Sequence, residues 1–523
     1  MAKTQPTMTH GVTSTPGLTG VPGTPGLTGV PGLNRAHADP LQPGTGPLQP
    51  RDDLQRSRDL RESDRTREII SAMYAAVPPG LRSLDEAVIR DLQSWTRRLL
   101  SVRLTTAQQE YARFIAIGQR SLTVPEAQVG TWLRGQAVLV TGGTGCIGSA
   151  LMRLIAAAGP GRLVSVSRGA TGSGTPVGGT EYVRADVRDH ERLDAIVAEV
   201  RPDVIFHLAA QRDPGLAERE IRQTVTTNVL GARNVLAAAA QRKVAQVVMA
   251  STGKALRPYS PDVYSASKRA AEWLAWRSAT RGETRCSAAR FTHVVDNSII
   301  HRRLLNARAE GVIRLYGTDI VLHGPDVSFY AQSALECAQL LLCAGLNAAD
   351  GEFRVHAITD LGWPVSLLDL ALGVLADTGA AVPIYFSGCE PGYEHAPFPG
   401  LYDPLTAGDV SPLINAFEAD RAAGCGYGPA DVFPLEFTPG PEPCLLLQAL
   451  EDACDVTRDP DRIYSSLDEL SWSLLDAALG AVGNRALTRA IKLTSPHLET
   501  MSEGHRRLFA AIERRALRDG EWP

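Results

Sequence analysis

Lysine is scarce in this sequence: five of its 53 basic residues are lysine, and the other 48 are arginine. The excess of arginine, together with many alanines and glycines, is typical of a GC-rich genome and says nothing about function. Two of the five lysines, Lys254 and Lys268, nevertheless lie in one short stretch, on either side of Tyr264. The stretch ASTGKALRPYSPDVYSASKRAAE is therefore the first candidate for a functional site.

The 523-residue chain also lacks the features of several other protein classes. No apolar run reaches the roughly 18 residues that span a bilayer, and the polar N-terminus has no apolar signal core. The eight cysteines contain no C-x-x-C pair, which argues against a disulfide scaffold or a zinc site and fits a reducing cytoplasm. A net charge of −4 argues against a nucleic-acid-binding surface. We expect a cytoplasmic protein with no metal site that binds neither membrane nor nucleic acid.

The first part of the chain divides into a tail and a helical extension. Residues 15–32 contain TPGLTGVPG twice, and this density of proline and glycine predicts a disordered tail over residues 1–52. Residues 53–134 have helical patterns and form the predicted extension. Its role is open, because it could cap the next domain or form a dimer contact.

Capping patterns predict where the helices of this extension begin. Ser83 with Glu86, and Thr106 with Gln109, have the spacing of a capping box, so each pair predicts a helix start. Pro125 suits the first turn of a further helix. The extension is therefore expected to contain three or four helices.

From residue 136 onward, short apolar strands alternate with helical stretches. The strands AVLVT, RLVSVS, EYVRA, DVIFHLA, AQVVMAS and CSAARF are separated by helices such as HERLDAIVAEV. This alternation predicts a doubly wound α/β fold with a parallel sheet, a Rossmann domain over residues 135–300. A smaller substrate-binding region is predicted over 301–400 and a mostly helical region over 401–523.

A glycine-rich turn follows the first predicted strand. In TGGTGCIG, Gly142, Gly145 and Gly148 are spaced three residues apart between a strand and a helix. Glycine lets the backbone turn tightly and approach a pyrophosphate, and the helix offers its first amide groups to the phosphate. The strand-turn-helix context predicts a dinucleotide site.

The end of the second strand predicts which dinucleotide binds. A domain selective for NAD usually places an acidic residue there to hold the ribose hydroxyls. Here Ser167 and Arg168 occupy the place, and a hydroxyl followed by a guanidinium suits a 2′-phosphate. NADP is therefore favoured, with NAD possible.

Further cofactor contacts are expected at the ends of the next strands. Asp186 follows the third strand, where its carboxylate can accept a hydrogen bond from the adenine amino group, and small residues after His207 let the backbone pass close to the cofactor. The predicted cofactor-binding residues are Thr141, Gly142, Gly145, Cys146, Ile147, Gly148, Ser167, Arg168, Asp186, Val187, Leu208, Ala209, Ala210, Asn228 and Lys268.

Tyr264 and Lys268 form a Y-x-x-x-K pair. Residues four apart share one face of a helix, and an ammonium group near a phenol favours the phenolate, so Tyr264 can act as a general base. Ser251 and Thr252 end the fifth strand, where a hydroxyl can bond a reacting alcohol. With Lys254, these five residues are the predicted catalytic set.

Residues 136–400 resemble the extended short-chain dehydrogenase/reductase superfamily, and within it the bacterial nucleotide-sugar 4,6-dehydratases of polysaccharide biosynthesis that act on UDP-N-acetylglucosamine. The resemblance is carried by VTGGTGCIG, SVSRG, ADVRDHERL, TTNVLGARNV, GWPVSLLDLA and the stretch around Tyr264. It implies NADP, a sugar substrate oxidised at C4 through Tyr264, and a Rossmann fold.

The sequence departs from that family at the residue before Lys254. The family has Ser-Thr-Asp-Lys-Ala after the fifth strand, and its Asp and Lys assist the loss of water. Here Gly253 replaces the acid, and glycine cannot donate a proton. Redox chemistry through Tyr264 and Lys268 is compatible with this change, whereas dehydration requires Asp262 or another acid as a substitute.

A second departure lies in the segment GCEPGYEHAP, where the family has basic residues that bind the nucleotide diphosphate. Glu390 and Glu394 stand there instead, and carboxylates repel a diphosphate. Either Arg302 and Arg303 supply the positive charge, or the substrate is not a nucleotide sugar.

Three functions follow from these residues. The leading hypothesis is an NADP-dependent epimerase/dehydratase-type oxidoreductase that acts on a sugar derivative, expected to be a nucleotide sugar, through a transient ketone. The alternatives are an NADPH-dependent ketoreductase acting on a non-nucleotide metabolite and a non-catalytic NADP-binding scaffold. A small-molecule substrate and a homodimer are expected in the leading case.

Overall fold

The computed structural model describes residues 50–169, 176–315, 327–388, 392, 398–402 and 409–518, apart from the side chains of 50–61 and 308–310. The chain divides into two compact units, residues 1–57 and 58–523. The sheet, the hydrophobic cores and the candidate site belong to the second unit. Most of the predicted tail lies outside the described residues, and its last residues, 50–52, are helical rather than disordered.

The strands form one large sheet and three short pairs. Strands β1 to β6 span Ala137–Thr141, Arg162–Ser167, Thr180–Arg184, Val204–His207, Gln246–Ala250 and Arg285–Ala289. Strands β7 to β15 span His293–Val294, Ile313–Leu315, Ser328–Phe329, Ala331–Gln332, Arg354–Ile358, Val365–Ser366, Ile384–Phe386, Ala423–Gly424 and Ala430–Pro434.

The large sheet has the order β14-β15-β11-β6-β5-β4-β1-β2-β3. Its strands from β11 to β3 are parallel, and β15 and β14 add antiparallel pairs at one edge. The chain moves outward from β1 in one direction to β3 and in the other direction from β4 to β6, which confirms the doubly wound α/β prediction. The point where the order reverses, between β1 and β4, is where such folds bind ligands.

The helices up to and including the one that follows β5 belong to two different hydrophobic cores. Helices α1 to α9 span Pro50–Ala76, Glu86–Ile117, Glu126–Leu133, Cys146–Ala157, His190–Val200, Pro214–Arg219, Ile221–Val225, Gly231–Gln241 and Val263–Thr280. A π-helical turn, Thr226–Leu230, joins α7 to α8. The main hydrophobic core lies between helices α3 to α9 and the buried strands, whose buried residues are mostly apolar.

Two predicted helix starts in the extension are wrong. Helix α2 begins at Glu86 with Asp85 as its N-cap, which accepts a hydrogen bond from the Val88 amide at 2.9 Å, so Ser83 is not the cap. Thr106 starts no new helix, because α2 continues without interruption to Ile117. Local capping patterns were outweighed there by a continuous apolar face that packs against another helix.

That partner of α2 belongs to the predicted substrate region. Helices α10 to α12 span Ile299–Glu310, Ala334–Leu346 and Leu367–Thr378. Helices α1, α2, α10 and α12 share a second hydrophobic core with β8 and β13. The fit of α2 on α12 is close, because a Cβ atom added to Gly373 would lie 2.5 Å from the Ala107 carbonyl oxygen. The extension and the substrate region therefore share one core, although they are far apart in sequence.

The C-terminal helices pack against the Rossmann domain and against one another. Helices α13 to α16 span Glu442–Val456, Pro460–Gly480, Asn484–Thr494 and Glu503–Arg518. Helix α14 packs along α9, and its Tyr464 hydroxyl donates to the Pro261 carbonyl at 3.0 Å. A third hydrophobic core joins α14, α15 and α16 to Leu256 and Phe417. Within the described part of the chain, no helix is both long and apolar enough to span a membrane.

Candidate functional site

The glycine-rich turn after β1 is built by close backbone contacts. Gly142 has a φ of 76°, in the left-handed region, and a Cβ atom there would lie 2.8 Å from the Ala209 nitrogen. A Cβ atom on Gly148 would lie 2.2 Å from the Gly142 carbonyl oxygen. Both positions therefore require glycine, for its conformation at Gly142 and for space at Gly148. The packing leaves Gly145 exposed directly before the first turn of α4.

Cys146 and Ile147 form the start of α4 and are half-buried. Burial, and to a smaller extent the charge of Asp296, raise the pKa of the Cys146 thiol to about 11 against the opposing effect of nearby arginines. The thiol is therefore neutral at physiological pH. The first amides of this helix point along its axis, as an anion-binding helix terminus requires.

Thr141 has a structural role beneath that turn. It is fully buried, its hydroxyl lies 2.8 Å from Nδ1 of His207, and it accepts hydrogen bonds from the Leu208 and Ala209 amides. A hydroxyl that accepts twice donates to the imidazole. Burial lowers the pKa of His207 to about 3, so the ring is neutral and can accept that hydrogen bond. Thr141 thus holds the ends of β1 and β4 together.

Asn228 ties the loop after β4 to the catalytic helix. Its side chain accepts from the Gln211 amide at 2.8 Å and donates to the Gln211 carbonyl and to the Ser267 hydroxyl, both at 3.0 Å. The partly exposed residues Leu208, Ala209 and Ala210 form the start of this loop, beside Gly142. Asn228 therefore fixes the loop rather than offering its amide to the cleft.

The ends of β2 and β3 carry an arginine-rich cluster. Ser167 is half-buried, and Arg168 is exposed directly after it. Burial raises the pKa of Asp186, but hydrogen bonds from Arg188 and the charges of Arg188 and Arg168 outweigh this and lower it. The Asp186 carboxylate is occupied by Arg188, with contacts down to 2.7 Å, so its predicted contact with adenine competes with an existing ion pair.

Val187 is buried beside this cluster, where its Cγ2 atom would lie 2.8 Å from a Cβ added to Gly231. Sequence reasoning missed Arg188, although its spacing of two residues from Asp186 is a visible signal for an ion pair. The predicted cofactor residues that end or follow β1, β2, β3 and β4 all lie at the carboxyl ends of these strands. Because the strands are parallel, these ends are on the same side of the sheet.

The predicted catalytic pair, Tyr264 and Lys268, lies in the first turns of α9. Lys268 is buried, and its Nζ donates to the Ala250 carbonyl at the end of β5 at 2.7 Å. Burial lowers the Lys268 pKa to about 8, partly offset by Glu272, so the amine stays mostly protonated at pH 7. This hydrogen bond sets the register of α9 against β5.

The pKa of Tyr264 is raised, whereas the neighbouring Lys268 led us to expect a lowered pKa. Burial raises it, and the nearby charge of Asp262 adds to this, whereas a hydrogen bond with the Thr252 side chain and the charge of Arg212 lower it. The Lys268 ammonium is directed at the Ala250 carbonyl. Thr252, not Lys268, is therefore the direct neighbour of the Tyr264 hydroxyl.

The Ser251 side chain belongs to a buried ion cluster. Its hydroxyl donates to Glu272 at 2.7 Å, and both oxygens of Glu272 accept from Arg290 at 3.0 Å. Arg290 also donates to Glu418 at 2.7 Å. Because the Ser251 hydroxyl donates its proton to Glu272, Thr252 is the better candidate of the two predicted contacts for the reacting alcohol. Glu418 lies far away in sequence, so no local pattern pointed to this cluster.

Gly253 is explained by packing against the C-terminal region. A Cβ atom there would lie 2.7 Å from Cδ2 of the buried Leu413 and 3.3 Å from the Phe291 carbonyl oxygen. Leu413 also contributes its carbonyl to Arg290 at 3.1 Å. An apolar side chain from the C-terminal region therefore fills the space where the acid of the resembling family would begin.

Lys254 and the acids around it complete the site. The Lys254 amine donates to the Gly392 carbonyl at 2.8 Å. Asp262, the substitute acid considered from the sequence, is buried as the N-cap of α9 and ion-paired with Arg257 at 3.2 Å. Glu218 in α6, which sequence reasoning missed, accepts from the Val263 amide at 2.7 Å.

The predicted substrate contacts can be placed only in part. Arg302 and Arg303 lie exposed in the first turns of α10, and Arg302 is close enough to Cys146 to lower the pKa of that thiol. Glu390 and Glu394 lie outside the described residues. No group of metal-ligating side chains occurs among the residues that the structure describes.

Comparison with known proteins bears on this site. The family described as "Polysaccharide biosynthesis protein" matches residues 138–396, from β1 to the segment after β13. This part of the chain belongs to that family. Leu413 and Glu418, and all of helices α13 to α16, lie beyond the matched residues.

Individual relatives match this chain at low sequence identity. The probable polysaccharide biosynthesis protein EpsC of Bacillus subtilis is 26% identical over 319 residues, which cover 58% of this chain and 51% of EpsC. The UDP-glucose 4-epimerase of Rickettsia akari is 28% identical over 225 residues, 41% of this chain and 60% of the epimerase. The X-ray structure of Pen from Bacillus thuringiensis is 22% identical, with a TM-score of 0.47, over 58% of this chain and 89% of Pen. The chain thus spans about half the length of EpsC.

Leu413 and Gly253 should be energetically coupled. Gly253→Ala alone is expected to cost about 1–3 kcal/mol by overpacking, and Leu413→Ala about 2–5 kcal/mol by leaving a cavity. In the double variant the new methyl group enters the space that Leu413 leaves, so the double variant should lose less stability than the sum. Urea unfolding of the four proteins measures a coupling of about 0.5–3 kcal/mol.

Gly178→Ala is the control, because a Cβ atom there meets nothing within 4 Å. Strictly additive losses for Gly253→Ala and Leu413→Ala would contradict the packing described for Leu413.

Proposed function

We propose that this protein is a nicotinamide-dependent oxidoreductase of the epimerase/dehydratase type, acting on a nucleotide sugar through a transient ketone. The observation that carries the proposal is the contact of Lys268 with the end of β5 and of Tyr264 with Thr252 just after it. In this parallel sheet β5 ends on the same side as β1 and its glycine-rich turn, the side where doubly wound folds bind ligands. The names of the relatives, polysaccharide biosynthesis protein and UDP-glucose 4-epimerase, support the same substrate class.

The turn after β1 fits a dinucleotide. Gly142 and Gly148 bring the backbone of the turn against the loop after β4 and against the start of α4, so no side chain stands at these two positions. Gly145 is exposed directly before the amides of Cys146 and Ile147. A pyrophosphate would rest on these amides. A nicotinamide dinucleotide bound there would supply a reversible hydride acceptor.

The residues of the chain then have separate tasks in oxidation. Thr252 orients the Tyr264 hydroxyl, and Tyr264 takes the proton of the sugar hydroxyl as that carbon is oxidised. Lys268 is held by Ala250 with its charge close to the site. Because burial raises the pKa of Tyr264, we expect the rate of the oxidation step to rise with pH.

We further propose that NADP is preferred over NAD. Arg168 is exposed after β2, and the Asp186 carboxylate nearby is paired with Arg188, so the surface that faces a ribose carries excess positive charge. We also propose that the protein forms a homodimer and is located in the cytoplasm, as its sequence predicts.

Arg168→Ala should weaken NADP binding about 10- to 100-fold, the value of a charge-assisted hydrogen bond to a phosphate, and leave NAD affinity nearly unchanged. Titration calorimetry with both dinucleotides measures the difference. Arg192→Ala, which removes an exposed arginine of α5, is the control and should alter neither affinity. An equal loss of affinity for NADP and NAD would remove Arg168 as the basis of selection.

Tyr264→Phe should reduce turnover about 10²- to 10⁴-fold while dinucleotide affinity is retained, because the base is removed and the packing is kept. The assay follows UDP-glucose and UDP-N-acetylglucosamine with NADP⁺ at 340 nm and by NMR of the sugar. Tyr464→Phe, which removes a hydroxyl near the same helix, is the control. Unchanged turnover in Tyr264→Phe would reject the assignment, and net consumption of NADPH would favour the ketoreductase alternative.

A further inference from the structure

The place of the acid that precedes Lys254 in the resembling family is filled by Leu413. Two other carboxyls, one at the start of α9 and one within it, already have partners. Asp262 caps α9 and pairs with Arg257, and Glu272 is enclosed by Ser251 and Arg290. Among the described residues, the next candidate for a carboxyl that transfers a proton near Lys254 lies in another element.

Glu218 in α6 lies where such a carboxyl is needed. Its Oε1 accepts from the amide of Val263, the residue before Tyr264, at 2.7 Å. Its Cγ would lie 3.2 Å from a Cβ atom on Gly392, whose own carbonyl accepts from the Lys254 amine at 2.8 Å. Glu218 and Lys254 thus lie on either side of one glycine, and Glu218 is hydrogen-bonded to the start of the catalytic helix.

The charges around Glu218 suit a group that carries a proton. Among the described residues, no arginine or lysine lies within ion-pair distance of its carboxylate, in contrast to Asp262 and Glu272. Burial raises the pKa of Glu218, and the charge of Asp262 raises it further, while the Val263 amide and Lys254 act in the opposite direction. The protonated form of this carboxyl is therefore favoured relative to an exposed glutamate.

We propose that Glu218 replaces the missing acid and works with Lys254 as an acid–base pair on the keto sugar, an inference that rests on the proposed function. Lys254, in its neutral form, takes the proton from the carbon next to the ketone. The electrons of that C–H bond form a carbon–carbon double bond to the following carbon. The hydroxyl on that carbon leaves with the proton of Glu218 as water. The products are an unsaturated ketone, one water, an ammonium and a carboxylate, so atoms and charges balance.

The test compares two steps in Glu218→Gln. Glutamine can still accept from the Val263 amide, so the helix start is preserved, but it has no carboxyl proton to give. With UDP-N-acetylglucosamine and NADP⁺, single-turnover absorbance at 340 nm reports oxidation, and mass spectrometry reports the loss of water. We expect oxidation within a factor of about three of the unsubstituted enzyme and water loss slower by about 100-fold, as for other general acids.

Glu220→Gln, a carboxyl at the end of the same short helix, is the matched control and should leave both steps unchanged. In the unsubstituted enzyme, loss of the Glu218 proton should slow water loss as pH rises through the Glu218 pKa, and this decline should be absent from the pH profile of Glu218→Gln, whereas oxidation through Tyr264 should quicken with pH in both proteins. Equal rates of water loss in Glu218→Gln and Glu220→Gln would overturn the assignment, and so would an unsubstituted enzyme that oxidises the sugar without releasing water. An unsubstituted enzyme that shows no oxidation of UDP-sugars contradicts the proposed function instead.

Discussion

The hydrogen bond from the Lys268 amine to the Ala250 carbonyl connects the catalytic helix to the sheet. It is buried and 2.7 Å long, and it sets where α9 lies along β5. Tyr264 is one helical turn earlier and therefore meets Thr252 just beyond the end of the same strand. Since parallel strands end at one edge, this contact also brings the phenol near the glycine-rich turn of β1.

The C-terminal region contributes an acid, Glu418, to the buried charges next to α9. Arg290 is fully buried and forms ion pairs with both Glu272 and Glu418, so one guanidinium and two carboxylates are shielded from water together. Removing one partner would strand a buried charge, which typically costs 3–5 kcal/mol. Glu418 and Leu413 lie outside the residues matched by the family, so these contacts come from a part of the chain that the family match does not cover.

Sequence patterns predicted local features well and long-range ones poorly. The bounds of β1, β2 and α5 agree with the structure, because apolar periodicity and glycine spacing are local signals. The tasks of Ser251 and Gly253 could not be predicted, since each depends on a contact with a residue far along the chain: Glu272 with its partner Arg290 for Ser251, and Leu413 for Gly253. The pKa of Tyr264 was expected to fall because spacing places Lys268 on its face, but spacing does not show that burial dominates or that the ammonium has another acceptor.

The central claim is that the Tyr264 hydroxyl faces a nicotinamide ring bound at the carboxyl ends of the parallel strands. A crystal structure of the full chain grown with NADP⁺ tests it most directly. The account predicts the pyrophosphate on the amides that follow Gly145, the 2′-phosphate beside Arg168, and the reactive face of the nicotinamide next to the Tyr264 hydroxyl. A dinucleotide bound elsewhere, or a ring turned away from Tyr264 with the phenol enclosed by protein, would contradict it.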